Sequence, residues 1–434
     1  MSDNITSSIV RLINRKGEIA GLGHLVPGNR VITCAHVVAQ ALEIPTDATP
    51  PPDSEIEVDL PFGELGGKRK ARVCAWRTIG QTPSPQFDGL SDLAVLEILD
   101  VQPVGAGINA PNDDDYGGMI DAIVAGELIP FLGAGVNLCD RPEGEAWCRD
   151  SQFLPSGAEL SRALASEFDY PWNDNTDLLR VSQYVALMHT LGRLYESLRS
   201  IFDKDYPSTA LHSFFANLPR LLRERNYPSS LLIVTTNYDD LLERAFRDVK
   251  QPYDLVTYWV GDQNEQRGKL LHWTAQGRPQ PIEDPNTYDG IKLDTAQNLV
   301  NPVILKVHGA VDRTVSRAMR PRDSYVITED HYLDYLTRSD ISALVPATLK
   351  AKFANSSFLF LGYSLRDWNL RVFLNRIQMQ QRQALQYHRM WAIQKQPVVL
   401  EQKFWEARGV EILDANLREY VAELDKRIKD LPPR

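Results

Sequence analysis

The chain has 434 residues, of which 43% are hydrophobic and 24% charged. Its length fits about three domains, or two with one enlarged, and its composition excludes global disorder, a collagenous repeat and a disulfide-stapled miniprotein. Acidic residues outnumber basic ones by 57 to 47, a formal charge of −10 that repels phosphate backbones at long range, so direct nucleic-acid binding is not expected. The longest apolar runs, Ser357–Gly362 and Ser230–Val234, fall far short of the roughly 18–20 residues of a membrane span. The start, Met1-Ser2-Asp3-Asn4, lacks the basic-then-apolar pattern of a secretory signal, so the expected compartment is the cytoplasm, away from any membrane. The four cysteines, Cys34, Cys74, Cys139 and Cys148, form no C-x2-C pair, which predicts reduced thiols and no metal site.

In chain order, Ser8–Ile13, Glu18–Leu25, Arg30–Thr33, Glu55–Leu60, Ala71–Trp76 and Leu93–Ile98 read as short strands. They are parted by turn residues such as Lys16-Gly17 and Pro27-Gly28-Asn29, the texture of a small antiparallel barrel or sandwich. Pro45–Asp53 and Thr82–Gly89 read as loops. Periodicity lapses from Gln102 to Gly118, through Gly105, Gly107, Pro111 and Asp113-Asp114-Asp115, the pattern of a linker. We therefore expect an all-β domain over 1–105, a linker over 106–118 and a second domain over 119–434.

The second domain alternates apolar strands with helical patterns. Leu128–Leu132, Leu231–Thr235, Val303–Val307, Ser357–Leu361, Arg389–Ile393 and Val410–Leu413 are strand-like. Ala158–Glu167, Leu178–Phe202, Ala210–Arg225, Asp239–Phe246, Asp330–Asp334, Ile341–Phe353, Asn369–Gln383 and Leu417–Ile428 carry apolar residues at spacings of three and four. This interleaving predicts an α/β domain whose mostly parallel sheet is covered on both faces.

Four of these strands end in groups that carry chemistry. Leu128–Leu132 runs into Gly133-Ala134-Gly135-Val136-Asn137, where two glycines let backbone amides approach a pyrophosphate. Leu138 stands where the G-x-G-x-x-G fingerprint has its third glycine, and a tight turn without a ligand explains the pair equally well. The next, Thr235-Thr236-Asn237-Tyr238-Asp239, places polar side chains where α/β folds bind ligands, although Asn237 or Asp239 equally reads as a helix cap. Ile304–Val307 delivers His308-Gly309, an imidazole open to a structural or a functional reading. Phe358–Leu361 delivers Gly362-Tyr363-Ser364, followed by Asp367.

Together and in this order, the four strand ends resemble the sirtuin fold, and its bacterial defence branch more closely than its protein deacylases, over about residues 115–415. The resemblance implies a Rossmann-like, mostly parallel sheet with a helical insertion over Asp169–Arg225. It further implies that Gly133, Ala134, Gly135 and Asn137 line the phosphates of NAD+, and that Gly362 and Ser364 approach its adenosine half. Asn237 and Asp239 would contact the nicotinamide ribose and carboxamide, and His308 would be the base. Sirtuins usually carry serine where Asn137 stands and glutamine where Thr236 stands. Deacylating sirtuins also carry a four-cysteine zinc ribbon after the histidine, whereas no cysteine follows Cys148 here. The implied activity is hydrolysis of NAD+ as substrate, without a metal, to nicotinamide and ADP-ribose, by an antiphage effector that depletes cellular NAD. A homo-oligomer and control by a sensor or ATPase partner are implied with it. A non-catalytic sensor of NAD or ADP-ribose and an NAD-dependent deacylase are the competing readings.

In the first domain, Val31-Ile32-Thr33-Cys34-Ala35-His36 resembles the histidine segment of trypsin-like serine proteases, and Ser91-Asp92-Leu93-Ala94 their aspartate segment. No Gly-x-Ser-Gly turn supplies the nucleophile and oxyanion hole. A base and its carboxylate cannot run acyl-enzyme chemistry alone. We therefore expect an inactive half of the trypsin-like fold, one all-β half-barrel retaining His36 and Asp92, with a role in recognition. The basic run Lys68-Arg69-Lys70 reads as a solvated hairpin.

Overall fold

The computed structural model describes residues 9–26, 30–46, 54–60, 67–77, 92–99, 110–260, 268–274, 279–293, 300–313, 323–337, 345–363, 388–397 and 405–434, with isolated positions between 374 and 402. Contacts divide the chain into two units, Met1–Ile108 and Asn109–Arg434. No helix among the described residues is long and apolar enough to cross a membrane.

In the first unit, alternation of apolar and polar residues sends Val10, Leu12, Val31, Val58, Ala71 and Leu96 inward, each fully buried. The strands β1 (Ile9–Ile13), β2 (Ile19–Val26), β3 (Arg30–Thr33), β4 (Glu55–Leu60), β5 (Gly67–Arg77) and β6 (Leu93–Ile98) close into a barrel in the order β1-β2-β3-β6-β5-β4. All its pairings are antiparallel. A helix that the sequence reading omits, α1 (Ala35–Leu42), packs against β1, β2, β4 and β6 through residues that include Val38 and Leu42. Its eight residues are too few to display a helical period.

The linker reading over 106–118 gives way at its end. Helix α2 (Asp113–Val124) begins inside it, because the Asn112 side chain accepts from the Asp114 and Asp115 amides at 2.8 and 3.1 Å while the Asp115 carboxylate accepts from Asn112 N–H at 2.9 Å. The acidic run is thus a capped first turn that complements the helix dipole.

The six expected strands of the second unit all form: β7 (Leu128–Leu132), β8 (Leu232–Thr235), β12 (Val303–Lys306), β13 (Ser357–Leu361), β14 (Met390–Gln394) and β15 (Val410–Asp414). Three more, β9 (Asp254–Tyr258), β10 (Leu270–Trp273) and β11 (Gln280–Pro281), widen the sheet to the order β11-β10-β9-β12-β8-β7-β13-β14-β15. From β9 to β15 every pairing is parallel, and β10 and β11 add antiparallel pairings at one edge.

Successive residues of each central strand enter opposite cores. Ile129, Phe131, Leu232, Val234, Phe358 and Phe360 pack on one face with Leu349 and Phe353 of α9 (Ala347–Ala354). Leu128, Leu132, Ile233, Leu359 and Leu361 pack on the other with α2, α6 (Ala210–Glu224), α7 (Leu241–Asp248) and α10 (Leu417–Lys429). Coverage on both faces explains why these strands are continuous apolar runs.

A third core holds α3 (Gly157–Glu167), α4 (Leu178–Met188) and α5 (Leu191–Phe202) through residues including Leu164, Val181, Val185, Leu194 and Leu198. The single helix expected over Leu178–Phe202 is therefore two. Thr190 breaks it at φ +109°, and its hydroxyl caps α5 by accepting from Arg193 N–H. The helix α8 (Glu329–Thr337) covers the short pattern expected at Asp330–Asp334. Ser364 and Asp367, and most of the helix expected over Asn369–Gln383, lie outside the described residues.

Candidate active site

Chain order reverses across the middle of the sheet: from β7 the path proceeds outward to β8 on one side and returns to β13 on the other. Such a switch point opens a crevice at the carboxyl ends of the strands. Parallel register levels the four singled-out ends. Leu132 stands opposite both Leu361 and Thr235, and Thr235 opposite Lys306, so Gly133, Gly362, Thr236 and Val307 begin one row of turns.

The two glycine turns lock onto each other. Gly133 N–H donates to Leu361 C=O at 2.9 Å and Gly135 N–H to Gly362 C=O at 2.8 Å. A Cβ on Gly135 would stand 2.7 Å from that carbonyl, and one on Gly362, whose φ is +72°, would collide with Val136 N. The glycines are required here for backbone meeting backbone. Ala134 starts the short 3-10 helix Ala134–Leu138, which turns Asn137 back toward β8.

Asn137 Nδ2 donates to Asp239 Oδ2 at 2.8 Å, both side chains being buried, and Asp239 Oδ1 accepts from Leu241 N–H at 3.1 Å. Asp239 thus both holds the first amide of the following helix, whose N-cap position is Asp240, and partners Asn137. Asn137 Oδ1 is buried and has no partner among the described residues. Asn237 Nδ2 reaches Gly133 C=O at 3.1 Å, and the Asn237 amide donates to Thr235 Oγ1 at 3.0 Å. The Tyr363 hydroxyl donates to Leu132 C=O at 3.1 Å, leaving its oxygen to accept from the Thr236 hydroxyl at 2.8 Å. The loops carrying Asn137, Asn237, Asp239 and Gly362 form one hydrogen-bonded unit.

His308 joins this row by register. Val307 N–H donates to Thr235 C=O at 3.0 Å and Val311 N–H to Tyr238 C=O at 2.9 Å, clamping the His308 turn against the Asn237 loop. The imidazole is 4% exposed and meets the Tyr332 ring edge to face, centroids 5.5 Å apart. Gly309 turns at φ +84°, where a Cβ would strike Ser324 C=O. Ser364 is outside the described residues, so its expected place beside Gly362 is not described.

Three polar groups escaped the sequence reading. Lys306, within β12, pairs with Glu243 at 2.8 Å, and both are buried. Burial pushes the Glu243 carboxyl above its ordinary value, against the pull of Lys306. His212 of α6 accepts from Thr209 N–H at 3.2 Å, and burial pulls its pKa down to about 4. Thr209 Oγ1 reaches both Val136 C=O and His212 Nδ1, at 3.3 and 2.9 Å, tying α6 to the glycine turn. A lone lysine inside the apolar run Val303–Val307 was the legible signal for Lys306. Nothing local marks His212.

Residues 231–413 match the sequence profile of the SIR2-like domain. The match contains Asn237, Asp239, His308 and Gly362, and the glycine turn after β7 precedes it. The chain is also similar to two proteins named NAD(+) hydrolase ThsA. With that of Enterococcus faecium it shares 26% identity, over 66% of this chain and 48% of the relative. With that of Acinetobacter baumannii it shares 28%, over 62% and 44%. Defense-associated sirtuin 2 of Bacillus subtilis is 23% identical over 67% of this chain and 23% of its own length. The chain thus spans less than half the length of these relatives.

Proposed function

We propose that the SIR2-like domain hydrolyses NAD+ to nicotinamide and ADP-ribose, and that the protein is an antiphage effector that depletes cellular NAD in the cytoplasm. The observation that carries this reading is the row of turns at the switch point, in which a buried imidazole stands level with Asn237, held by Gly133, and Asp239, held by Asn137. The names of the similar hydrolases support it.

Cleaving the bond between nicotinamide nitrogen and ribose C1′ sends the electron pair to the pyridinium ring, which leaves neutral, and develops positive charge on the ribose. The protein's task is then to hold ribose and water in line and to accept a proton as water adds to C1′. Asn237, fixed by Gly133, orients the ribose and the attacking water. His308 accepts the proton. Asp239 contacts the nicotinamide ribose or carboxamide, and Gly133, Ala134, Gly135 and Asn137 line the phosphates. Gly362 approaches the adenosine half, a role the sequence resemblance also assigns to Ser364.

The barrel of the first unit is, on this reading, an inactive trypsin-like half that recognises a trigger, a partner or another protomer. Control through a homo-oligomer and a sensor or ATPase partner completes the proposal. Incubating the protein with NAD+ and quantifying free nicotinamide and ADP-ribose by chromatography tests it: both products are expected in equal amounts. Nicotinamide release that requires an acetylated peptide would instead establish a deacylase, and NAD+ binding without turnover a sensor.

A further inference from the structure

Lys306 lies in the middle of the sheet between Thr235 and Thr257 of the adjacent strands, 1% exposed, and its Nζ contacts Glu243 Oε1 at 2.8 Å and the backbone carbonyl of Asp239. Glu243, in the first turn of α7, is 3% exposed, and its Oε2 has no partner among the described residues, so its charge is answered by Lys306. Such a pair is a poor choice for stability alone. Desolvating two ions offsets their attraction, and two apolar side chains of similar volume would fill the space as well.

What apolar side chains would lack is the bond to Asp239 C=O. Asp239 is the residue whose carboxylate holds Asn137 Nδ2, and Lys306 stands two positions before His308 on the same strand. One ammonium group therefore fastens the Asn237–Asp239 loop to the strand that delivers the imidazole. We propose that Lys306, held by Glu243, is a positioning residue that keeps Asn137 and Asp239 in register with His308. The proposal rests on the NAD+-hydrolysing reading for its kinetic consequence, but not for its structural one.

Lys306→Met alone would strand a buried Glu243, so the informative variant is K306M/E243L, which removes both charges and fills the space. In the full chain it is expected to melt within about 3 °C of the unmodified protein. Its kcat for NAD+ is expected to fall at least about tenfold, with the Asn137–Asp239 contact opened beyond hydrogen-bond distance in its crystal structure. A folded double variant with unchanged kcat and KM, or with the 2.8 Å contact intact, overturns the proposal. If the double variant does not fold, K306M/E243Q, which also removes both charges and the bond to Asp239, is judged by the same two criteria. Should the unmodified protein release no nicotinamide, the hydrolase reading fails by itself, and the crystallographic contact alone decides the positioning role.

Discussion

Both units place a histidine just beyond a strand, and they orient it by different means. In the barrel, the His36 side chain is 46% exposed; its Nδ1 lies 2.5 Å from Asp92 Oδ2, and its own amide donates to Asp92 Oδ1 at 2.8 Å. Burial acts to raise the Asp92 carboxyl, but the bonds from His36 outweigh it and hold the group below its ordinary value. Asp92 accepts a left-handed backbone, φ +78°, to make this contact. In the second unit, His308 is enclosed beside Tyr332, and the strand carrying it is fixed by Lys306. The barrel aims its imidazole with a carboxylate at the surface. The second unit aims its own with packing and backbone register.

The comparison is broken most directly by removing each imidazole. His308→Ala is expected to lower nicotinamide release by about 10²–10⁴-fold, while His36→Ala leaves it within about twofold. A parallel chromatographic assay of the two variants would show the contrast false if both fall equally.

Backbone strain offers a second, smaller contrast. An alanine at Gly362 meets Val136 and Gly135 backbone as well as an unfavourable φ of +72°, whereas one at Gly17, φ +83°, meets nothing within 4 Å. Gly362→Ala should cost about 2–3 kcal/mol and Gly17→Ala about 1 kcal/mol. Thermal melting of both variants measures the difference, and equal shifts would mean that the interlocked turns give way easily.

A third test uses pH. The folded value of about 4 for His212 lies below its unfolded value of about 6.5, so the unfolded chain binds the extra proton between them. The stability associated with a neutral His212 is complete above pH 6.5 and declines as pH falls toward 4. About 2 kcal/mol is lost by pH 5. Urea unfolding at pH 7 and pH 5 reads this loss, and His212→Asn should reduce it; an identical loss in that variant would move the cause elsewhere.

The parallel strands were legible because burial on both faces writes itself as unbroken apolar runs ending in glycine or polar residues. Strands β9 and β10 were not. Asp254–Tyr258 and Leu270–Trp273 mix apolar with polar residues whose partners come from distant segments, such as the Tyr288 hydroxyl at 2.7 Å from His272 Nδ1 and Thr257 at 3.2 Å from Trp273 Nε1. Likewise, the Asn112 cap hid within an acidic stretch that resembled a linker, and the break at Thr190 within an otherwise continuous helical period. At the candidate site the strand-end residues could be read one by one. Their mutual bonds, Asn137 to Asp239 and Asn237 to Gly133, join residues about a hundred positions apart and no local pattern encodes them.

The interlocked glycine turns bear on how a ligand is received. With Gly133 and Gly135 already bonded to Leu361 and Gly362, the walls of the crevice are ordered before anything enters it. A molecule lodging there loses its own freedom but does not have to quiet these loops, so little of its interaction energy is diverted into conformational entropy. Affinity at this crevice should therefore track the fit of the ligand's polar groups more closely than any closing motion of the two turns.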